Sequence, residues 1–158
     1  MLAENTGEKC MQKVTLRIKK LSAEAKLPTY GTEFAAGADL YALTDGPLQI
    51  GAGETVLVHT GIAAEIPEGL VGLVYARSGL ASKRGLAPAN KVGVIDSDYR
   101  GEICVALYNQ SGKEQTIEPF ERVAQLVIAP YICAEFEESD ELSDTVRGAG
   151  GFGSTGSK

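Results

Sequence analysis

The sequence has one histidine, three cysteines and no tryptophan, and these low counts exclude whole classes of function. His59 is the only histidine, so Ser-His-Asp or Cys-His catalysis is excluded unless His59 supplies it. The cysteines, at positions 10, 104 and 133, are far apart and form no CxxC motif, which speaks against a zinc site and indicates a reducing setting. His59 lies in a strand-like run at 55–60, and we interpret it as a structural residue.

Long apolar runs and a surplus of basic residues are also missing. No stretch approaches the ~18–20 apolar residues that cross a membrane, and the first ten residues, MLAENTGEKC, contain no apolar signal region. The net charge is −6, but six acidic residues lie in 135–144, and the remaining chain has 15 charges of each sign. We therefore expect a cytoplasmic protein with no nucleic acid and no membrane among its partners.

The hydrophobic pattern of the 158 residues is that of β-strands within one domain. Apolar and polar residues alternate over 14–19. Turn signals separate further short apolar runs at 55–60, 62–66, 70–75, 101–108, 115–117 and 122–129. This spacing predicts an all-β sandwich, barrel or jelly roll with one short helix over 78–85, in which Ser78 is the N-cap and Gly85 ends the helix.

The end of the chain differs in composition from the rest. Five of the 19 glycines lie in the last twelve residues, after the acidic stretch. Because this glycine-rich tail has one large apolar residue, Phe152, it has too little apolar surface to form a hydrophobic core of its own. We therefore predict a β domain over 1–134, followed over 135–158 by an acidic linker and a glycine-rich arm that a ligand would order.

Two clusters suit a polyphosphate. Arg77-Ser78-Gly79 opens the predicted helix, where unpaired N–H groups favour an anion. In the tail, Arg147 offers a planar fork for phosphate oxygens and Phe152 a flat face for a nucleobase, while further donors come from Gly153, Ser154 and Thr155. Each cluster has two interpretations: a nucleotide-binding element, or an ordinary helix start and a glycine-rich terminus without a ligand.

Isolated polar residues next to apolar runs are the other candidates. Asp96, within GVIDSDYRG, is a general base toward water, an indirect partner of a metal or, with Asp98, a turn residue. Tyr99 either stacks on a sugar or packs a strand end. Asp39 has small neighbours that leave room for a ligand or for a tight turn. Gln125 needs a partner if it is buried, and a phosphate, a water or the backbone would supply one.

Five segments in order resemble the five motifs of trimeric dUTP diphosphatases: AGADLYA, RSGLA, GVIDSDYRGE, ERVAQLV and RGAGGFGSTG. The resemblance spans 16–156. It implies an all-β, jelly-roll-like distorted barrel that forms a homotrimer, with a flexible C-terminal arm and active sites shared between subunits. It also implies Mg²⁺-dependent hydrolysis of dUTP to dUMP and pyrophosphate through in-line attack of water on the α-phosphorus, which limits uracil in DNA and supplies dUMP for dTMP synthesis.

The same resemblance implies roles for individual residues. Asp96 would be the base for the attacking water, and Asp39 would hold Mg²⁺ through water. Tyr99 would pack against the deoxyribose, and Asn90 and Gly93 would belong to the hairpin that cradles uracil. Phosphate contacts would come from Arg77, Ser78, Gly79 and Gln125, and the arm would place Phe152 over the uracil, with Arg147, Gly153, Ser154 and Thr155 near the γ-phosphate.

One departure from the family pattern and two alternatives remain. Family members usually carry Pro before the motif-two Arg, whereas this chain has Ala76; since Pro fixes φ, we expect a modest loosening of Arg77. A related dCTP deaminase would need a Glu that activates water at the pyrimidine ring, and Glu102 is the candidate. A nucleotide-sensing trimer would use the same site to control a protein partner.

Overall fold

The computed structural model describes residues 13–151 and confirms a mostly β fold with one short helix. The helix is α1 (Ser78–Arg84). The strands of this range are β1 (Arg17–Lys20), β2 (Thr29–Tyr30), β3 (Ala38–Tyr41), β4 (Leu48–Ile50), β5 (Thr55–Val58), β6 (Ile62–Glu65), β7 (Leu70–Tyr75), β8 (Leu86–Pro88), β9 (Val92–Ile95), β10 (Val105–Asn109), β11 (Gln115–Ile117) and β12 (Arg122–Pro130).

All pairings between these strands are antiparallel, and they form four sheets. The largest sheet has the order β2-β3-β12-β7-β9, and a second has the order β5-β10-β8. The other two sheets are the pairs β1-β6 and β11-β4. Within residues 13–151 the ladders stop at sheet edges and do not close a barrel.

One hydrophobic core joins the four sheets, because each sheet contributes a side chain with almost no exposed surface. These side chains include Ile62 in β6, Leu107 in β10, Ile117 in β11 and Leu40 in β3. Burying each stabilises the fold by about 1.5–3 kcal/mol relative to leaving it exposed. The period-two pattern in the sequence is therefore the signature of these half-buried strands.

Helix α1 ends as the sequence predicts but begins differently. Gly85 has φ 68° and ψ 25°, and its N–H donates to Leu80 and Ala81 carbonyls, so it is the left-handed C-cap. The predicted N-cap was wrong: Ser78 is the first helical residue, and Arg77 is the N-cap without a side-chain cap bond. Arg77 stays extended because it continues the chain direction of β7, and its guanidinium is directed to another element.

Several short strands were missing from the sequence prediction. The alternation over 14–19 becomes a strand only at Arg17, and the run 101–108 only at Val105. Strands β2, β3, β4, β8 and β9 are two to four residues long. Such lengths give too few alternations for a periodic signal, so these strands form because a partner strand is present.

The last strand ends at Pro130, and residues 131–151 contain no helix or strand. Large apolar side chains in this segment are exposed, among them Ile132, Phe136, Leu142 and Val146. The domain boundary after residue 134 remains a prediction, and residues 152–158 lie outside the described range. None of the helical structure in residues 13–151 is long and apolar enough to span a membrane.

Asn109 is the most heavily bonded buried polar side chain of the fold. It has no exposed surface, and its Nδ2 donates to the Ile50 carbonyl at 2.9 Å and to the Lys113 carbonyl at 2.8 Å. Its Oδ1 accepts from the backbone N–H and the hydroxyl of Ser111, at 2.9 and 2.6 Å. One amide therefore fixes the turn after β10 against the end of β4.

We predict that Asn109→Ala lowers the free energy of unfolding by about 2–4 kcal/mol, because it leaves two carbonyls without their donor. The measurement is urea denaturation followed by far-UV circular dichroism. Gln110→Ala, at the exposed neighbouring position, is the matched control and should cost less than about 0.5 kcal/mol. Equal losses in the two variants would contradict the role of the Asn109 amide.

Candidate active site

A cavity of about 230 Å³ lies where three elements of the large sheet meet the start of α1. Strand β12 is paired on one side with β3, where Gln125 faces Asp39, and on the other with β7, where Gln125 faces Tyr75. Arg77 follows β7 by two residues and leads into the helix. The lining residues are Gly31, Thr32, Ala35, Gly37, Asp39, Arg77, Ser78, Gly79, Arg122 and Gln125.

A carboxylate bound to two arginines organises the charge of this cavity. Asp39 is buried, and its Oδ1 accepts from Arg77 Nε at 2.7 Å while its Oδ2 accepts from Arg122 Nη1 at 3.1 Å. Arg77 Nη1 also donates to the Arg122 carbonyl at 3.4 Å. Two guanidinium groups against one carboxylate leave a net positive charge with unused donors, which suits an anion with several oxygens.

Gln125 is held in place by the backbone and by the absence of a side chain at residue 37. Its Nε2 donates to the Ala76 carbonyl at 2.8 Å, so the backbone supplies a partner for this partly buried amide. A Cβ on Gly37 would lie 2.6 Å from Gln125 Oε1 and 3.1 Å from its Cβ. Glycine at position 37 therefore lets the segment before β3 approach the amide closely, and a larger residue there would shift the Gln125 side chain.

The residues expected to contact the base and the sugar lie in and after the turn that joins β8 to β9. The predicted hairpin before Asp96 was wrong, because β8 pairs with β10 and β9 pairs with β7 in a different sheet. Asn90 is in the turn between β8 and β9, and Gly93 pairs with Val74, whose Cβ would be 3.2 Å from a Cβ at residue 93. Asp96 follows β9 and is exposed. Asn90, Gly93 and Asp96 are not among the residues that line the 230 Å³ cavity of this chain.

Tyr99 is fixed by the turn that follows Asp96. Its backbone N–H donates to the Asp96 carbonyl at 3.2 Å, and its hydroxyl donates to the Glu102 carbonyl at 2.9 Å. Gly101 leaves room for the ring, since a Cβ there would lie 2.4 Å from the hydroxyl oxygen. The ring therefore spans the turn and remains 44% exposed, available to a flat ligand surface.

Glu102 has structural partners that do not fit the deaminase alternative. Burial acts to raise its pKa, but hydrogen bonds from His59 and from the Gly61 N–H prevail, and the pKa is lowered from its ordinary value. A carboxylate that moves protons at neutral pH needs a raised pKa, so Glu102 is poorly matched to general acid–base work. No feature of residues 13–151 favours the deaminase.

The structure describes only part of the C-terminal motif. Arg147 is exposed, and its Nε donates to the Gly150 carbonyl at 2.8 Å within a turn. Phe152, Gly153, Ser154 and Thr155 lie outside the described residues.

Arg122 was missed as a site residue in the sequence. It opens the apolar run of β12, where a charged residue is easily attributed to a strand end. A β-bulge at Arg122/Ala124 accompanies two consecutive buried residues, Val123 and Ala124, and this irregularity hides the period-two signal. Its pairing with Tyr41, two residues from Asp39, is what brings Arg122 to the cavity.

A family model described as dUTPase matches residues 23–156, which is most of the chain and includes all five motifs. The chain belongs to the dUTPase family. A deoxyuridine 5'-triphosphate nucleotidohydrolase of Desulfitobacterium hafniense is 51% identical over 145 residues, covering 91% of this chain and 96% of that protein. One of Nautilia profundicola is 53% identical over 141 residues, covering 89% of this chain and 98% of that protein.

Solved structures of the dUTPase family agree with this fold. The dUTPase of Staphylococcus bacteriophage 80alpha with dUpNHpp has a TM-score of 0.83 at 30% identity and covers 91% of this chain and 99% of that one. The dUTPase of phage phi11 of S. aureus has a TM-score of 0.75 at 26% identity and covers 84% and 100%. Members of the family are generally metal-dependent.

We predict that Gly37→Ala weakens binding of inorganic pyrophosphate about tenfold, because the new methyl group displaces the Gln125 amide from the cavity. Isothermal titration calorimetry measures this affinity. Gly31→Ala is the matched control: Gly31 also lines the cavity, but a Cβ there meets nothing within 4 Å, so affinity should be unchanged. Unchanged affinity in Gly37→Ala would contradict the proposed arrangement.

Proposed function

We propose that the protein hydrolyses dUTP to dUMP and pyrophosphate, with Mg²⁺, as a homotrimer. The observation that carries the proposal is the positively charged cavity around the Asp39 carboxylate, in a chain of the dUTPase family. Relatives that are 51% and 53% identical in sequence bear the name deoxyuridine 5'-triphosphate nucleotidohydrolase. Hydrolysis of a triphosphate depends mainly on positioning and charge stabilisation, and this cavity is suited to both.

The cavity would hold the phosphate chain. Arg77, Ser78 and Gln125 offer side-chain donors, and Gly79 leaves its backbone open to close approach. Arg122 adds a second guanidinium beside Arg77. Because Asp39 fixes Nε of Arg77 and Nη1 of Arg122, their other N–H groups are directed before substrate arrives, which lowers the ordering cost of binding.

The segment from Asn90 to Tyr99 would bind the nucleoside and perform the proton transfer. Backbone groups of the segment that holds Asn90 and Gly93 would pair with uracil, and a site built on such pairs rejects other bases strongly because buried groups would be left unpaired. The Tyr99 ring would pack on the deoxyribose and exclude a 2′-hydroxyl. Asp96 would take the proton of the water that attacks the α-phosphorus, as the bond to the α,β-bridging oxygen breaks and pyrophosphate leaves.

The residues present fit Mg²⁺ held through water by Asp39. Both carboxylate oxygens of Asp39 already accept from guanidinium groups, so direct ligation would break an ion pair, whereas a remaining lone pair can accept a metal-bound water. Mg²⁺ keeps several waters and is usually bound by one or two carboxylates together with substrate phosphates. When bound, it would neutralise the phosphate charge.

The arm would complete the site. Phe152 would lie over the uracil, with Arg147, Gly153, Ser154 and Thr155 near the γ-phosphate. Closure over a complete triphosphate would exclude water and couple substrate length to turnover. We also propose a cytoplasmic location and no nucleic-acid or membrane partner, in keeping with the neutral charge of the chain outside 135–144.

The trimer is proposed because one chain does not gather the whole site. Asp96, Asn90 and Gly93 do not line the cavity that Arg77 and Gln125 line. A neighbouring copy that brings its segment 90–99 to this cavity would join the phosphate contacts to the base-binding and proton-accepting groups. The exposed apolar side chains of 131–151 also suit burial against another copy.

We predict that Asp96→Asn keeps dUTP affinity within about threefold of wild type but lowers turnover by about 10²–10⁴-fold, because the amide cannot accept the proton of water. Pyrophosphate release and calorimetry with dUTP separate the two effects. Asp98→Asn, an exposed carboxylate in the same turn, is the matched control and should retain turnover within a few-fold. A near-normal rate in Asp96→Asn would remove it as the base.

A mixing experiment tests the shared site. Arg77→Ala and Asp96→Asn are each expected to be nearly inactive alone. If each site takes Arg77 from one chain and Asp96 from another, random reassembly of equal amounts restores about a quarter of wild-type turnover, since that fraction of sites has both residues intact. Native mass spectrometry verifies that mixed trimers form. Mixed trimers without activity would place both residues in one chain's site.

A further inference from the structure

Three potential metal ligands from distant parts of the chain meet outside the 230 Å³ cavity around Asp39, which we call the anion cavity. They are His59, in the loop after β5, and Glu102 and Cys104, in the segment before β10. Their ligand atoms all lie within 4.8 Å of one another, and no other group of three or more His, Cys, Asp or Glu residues in 13–151 is arranged in this way. The spacing of the cysteines in the sequence indicated no zinc site, but the fold brings these three distant residues together.

The distances suit a tetrahedral ion. His59 Nδ1 lies 3.6 Å from Cys104 Sγ, and nitrogen and sulfur ligands of tetrahedral zinc are about 3.5 Å apart when Zn–N is about 2.0–2.1 Å and Zn–S about 2.3 Å. His59 Nδ1 lies 2.8 Å from Glu102 Oε2. That pair would open by about 0.5 Å to the separation of two zinc ligands.

The Nδ1–Oε2 contact also shows what the ion would replace. An imidazole nitrogen this close to a carboxylate oxygen donates a proton to it. A cation on the same side takes the place of that proton. Burial, and then the charge of Glu102, raise the pKa of Cys104 to about 11, so its thiol too is protonated in the metal-free protein and would lose its proton on binding.

The ligands are held by a preformed framework. Glu102 uses its other oxygen, Oε1, to accept from the Gly61 N–H at 2.7 Å, which orients Oε2 toward His59. The Ile103 N–H donates to the Ile62 carbonyl at 2.9 Å, and the Thr60 hydroxyl donates to the Ile103 carbonyl. The two segments are thus tied together by three hydrogen bonds before any ion binds, as metal sites require of their supporting residues.

Period-two geometry places Glu102 and Cys104 on one face of their extended segment, with Ile103 buried on the other. The side chain of His59 is 57% exposed, so an ion has a route of entry. A carboxylate, a thiolate and a neutral imidazole together cancel the charge of a divalent cation, so the bound site would be neutral.

We propose that His59, Glu102 and Cys104 form a binding site for a borderline-soft divalent cation of the Zn²⁺ class, with a fourth position open to water. A nitrogen and a sulfur donor select such an ion over Mg²⁺, which prefers oxygen. None of its three ligands lines the anion cavity or belongs to the groups proposed to bind the base, bind the sugar or take the proton, and Glu102 contacts Tyr99 only through its backbone carbonyl. The proposal therefore does not depend on the proposed hydrolysis of dUTP.

The test uses the full-length protein, stripped with a chelator and titrated with Zn²⁺ alone against a chromogenic zinc indicator. We expect one Zn²⁺ per chain and an affinity that falls at least tenfold in Cys104→Ser and in His59→Gln. Cys133→Ser and Cys10→Ser are the matched controls and should keep wild-type affinity. Circular dichroism and dUTP turnover verify that every variant is folded. If Cys104→Ser does not fold, His59→Gln still tests the proposal, because its position is exposed.

Absorption spectra with Co²⁺ give a second measurement, which would not change if Cys104 had only a structural role. Wild type and both cysteine controls should show a thiolate-to-cobalt absorption band that is lost in Cys104→Ser, and a hundredfold excess of Mg²⁺ should not remove it. The proposal is overturned if wild type binds Zn²⁺ no more tightly than Cys104→Ser and His59→Gln, or if Mg²⁺ displaces the bound ion.

Discussion

The carboxylate of Asp39, shared between Arg77 and Arg122, is the interaction on which the anion cavity depends. It exists only because β12 is paired with β3 on one side and β7 on the other, which brings three distant segments together in the middle of the sheet. Without the carboxylate, two guanidinium groups would repel one another at short range. With it, they form a rigid, singly positive arrangement that a phosphate chain can complete.

Local patterns in the sequence were enough to predict β-structure and the end of α1 at Gly85, whereas the grouping of Arg77 with Gln125 was implied only by the resemblance to dUTP diphosphatases. They were not enough for the shortest strands or for Arg122, because a strand of two to four residues and a bulged strand give no clear period. The contact of His59 with Glu102 joins residues 43 positions apart, and such pairings depend on sheet register.

The proposed nucleoside contacts and the proposed phosphate contacts have different structural settings. Asn90 lies in the turn between β8 and β9 and Gly93 lies in β9, whereas one arginine of the cavity follows β7 and the other begins β12. A tightly packed turn and an open, charged cavity demand opposite packing, so rigid support for each is easier to build separately than in one place. The proposed assembly of several copies would reconcile the two requirements.

The two ends of α1 are secured unequally. At its C-terminal end, Arg84 donates to Gln115 at 3.2 Å, to Glu121 at 2.5 Å and to the Thr116 carbonyl, while the N-terminal end has no side-chain cap. We therefore expect any fraying of this helix to begin beside the cavity, at amides that have no intrahelical partner. An anion that accepted from these amides would order the first turn, so the helix start, and not the arginines already held by Asp39, would carry the ordering cost of binding.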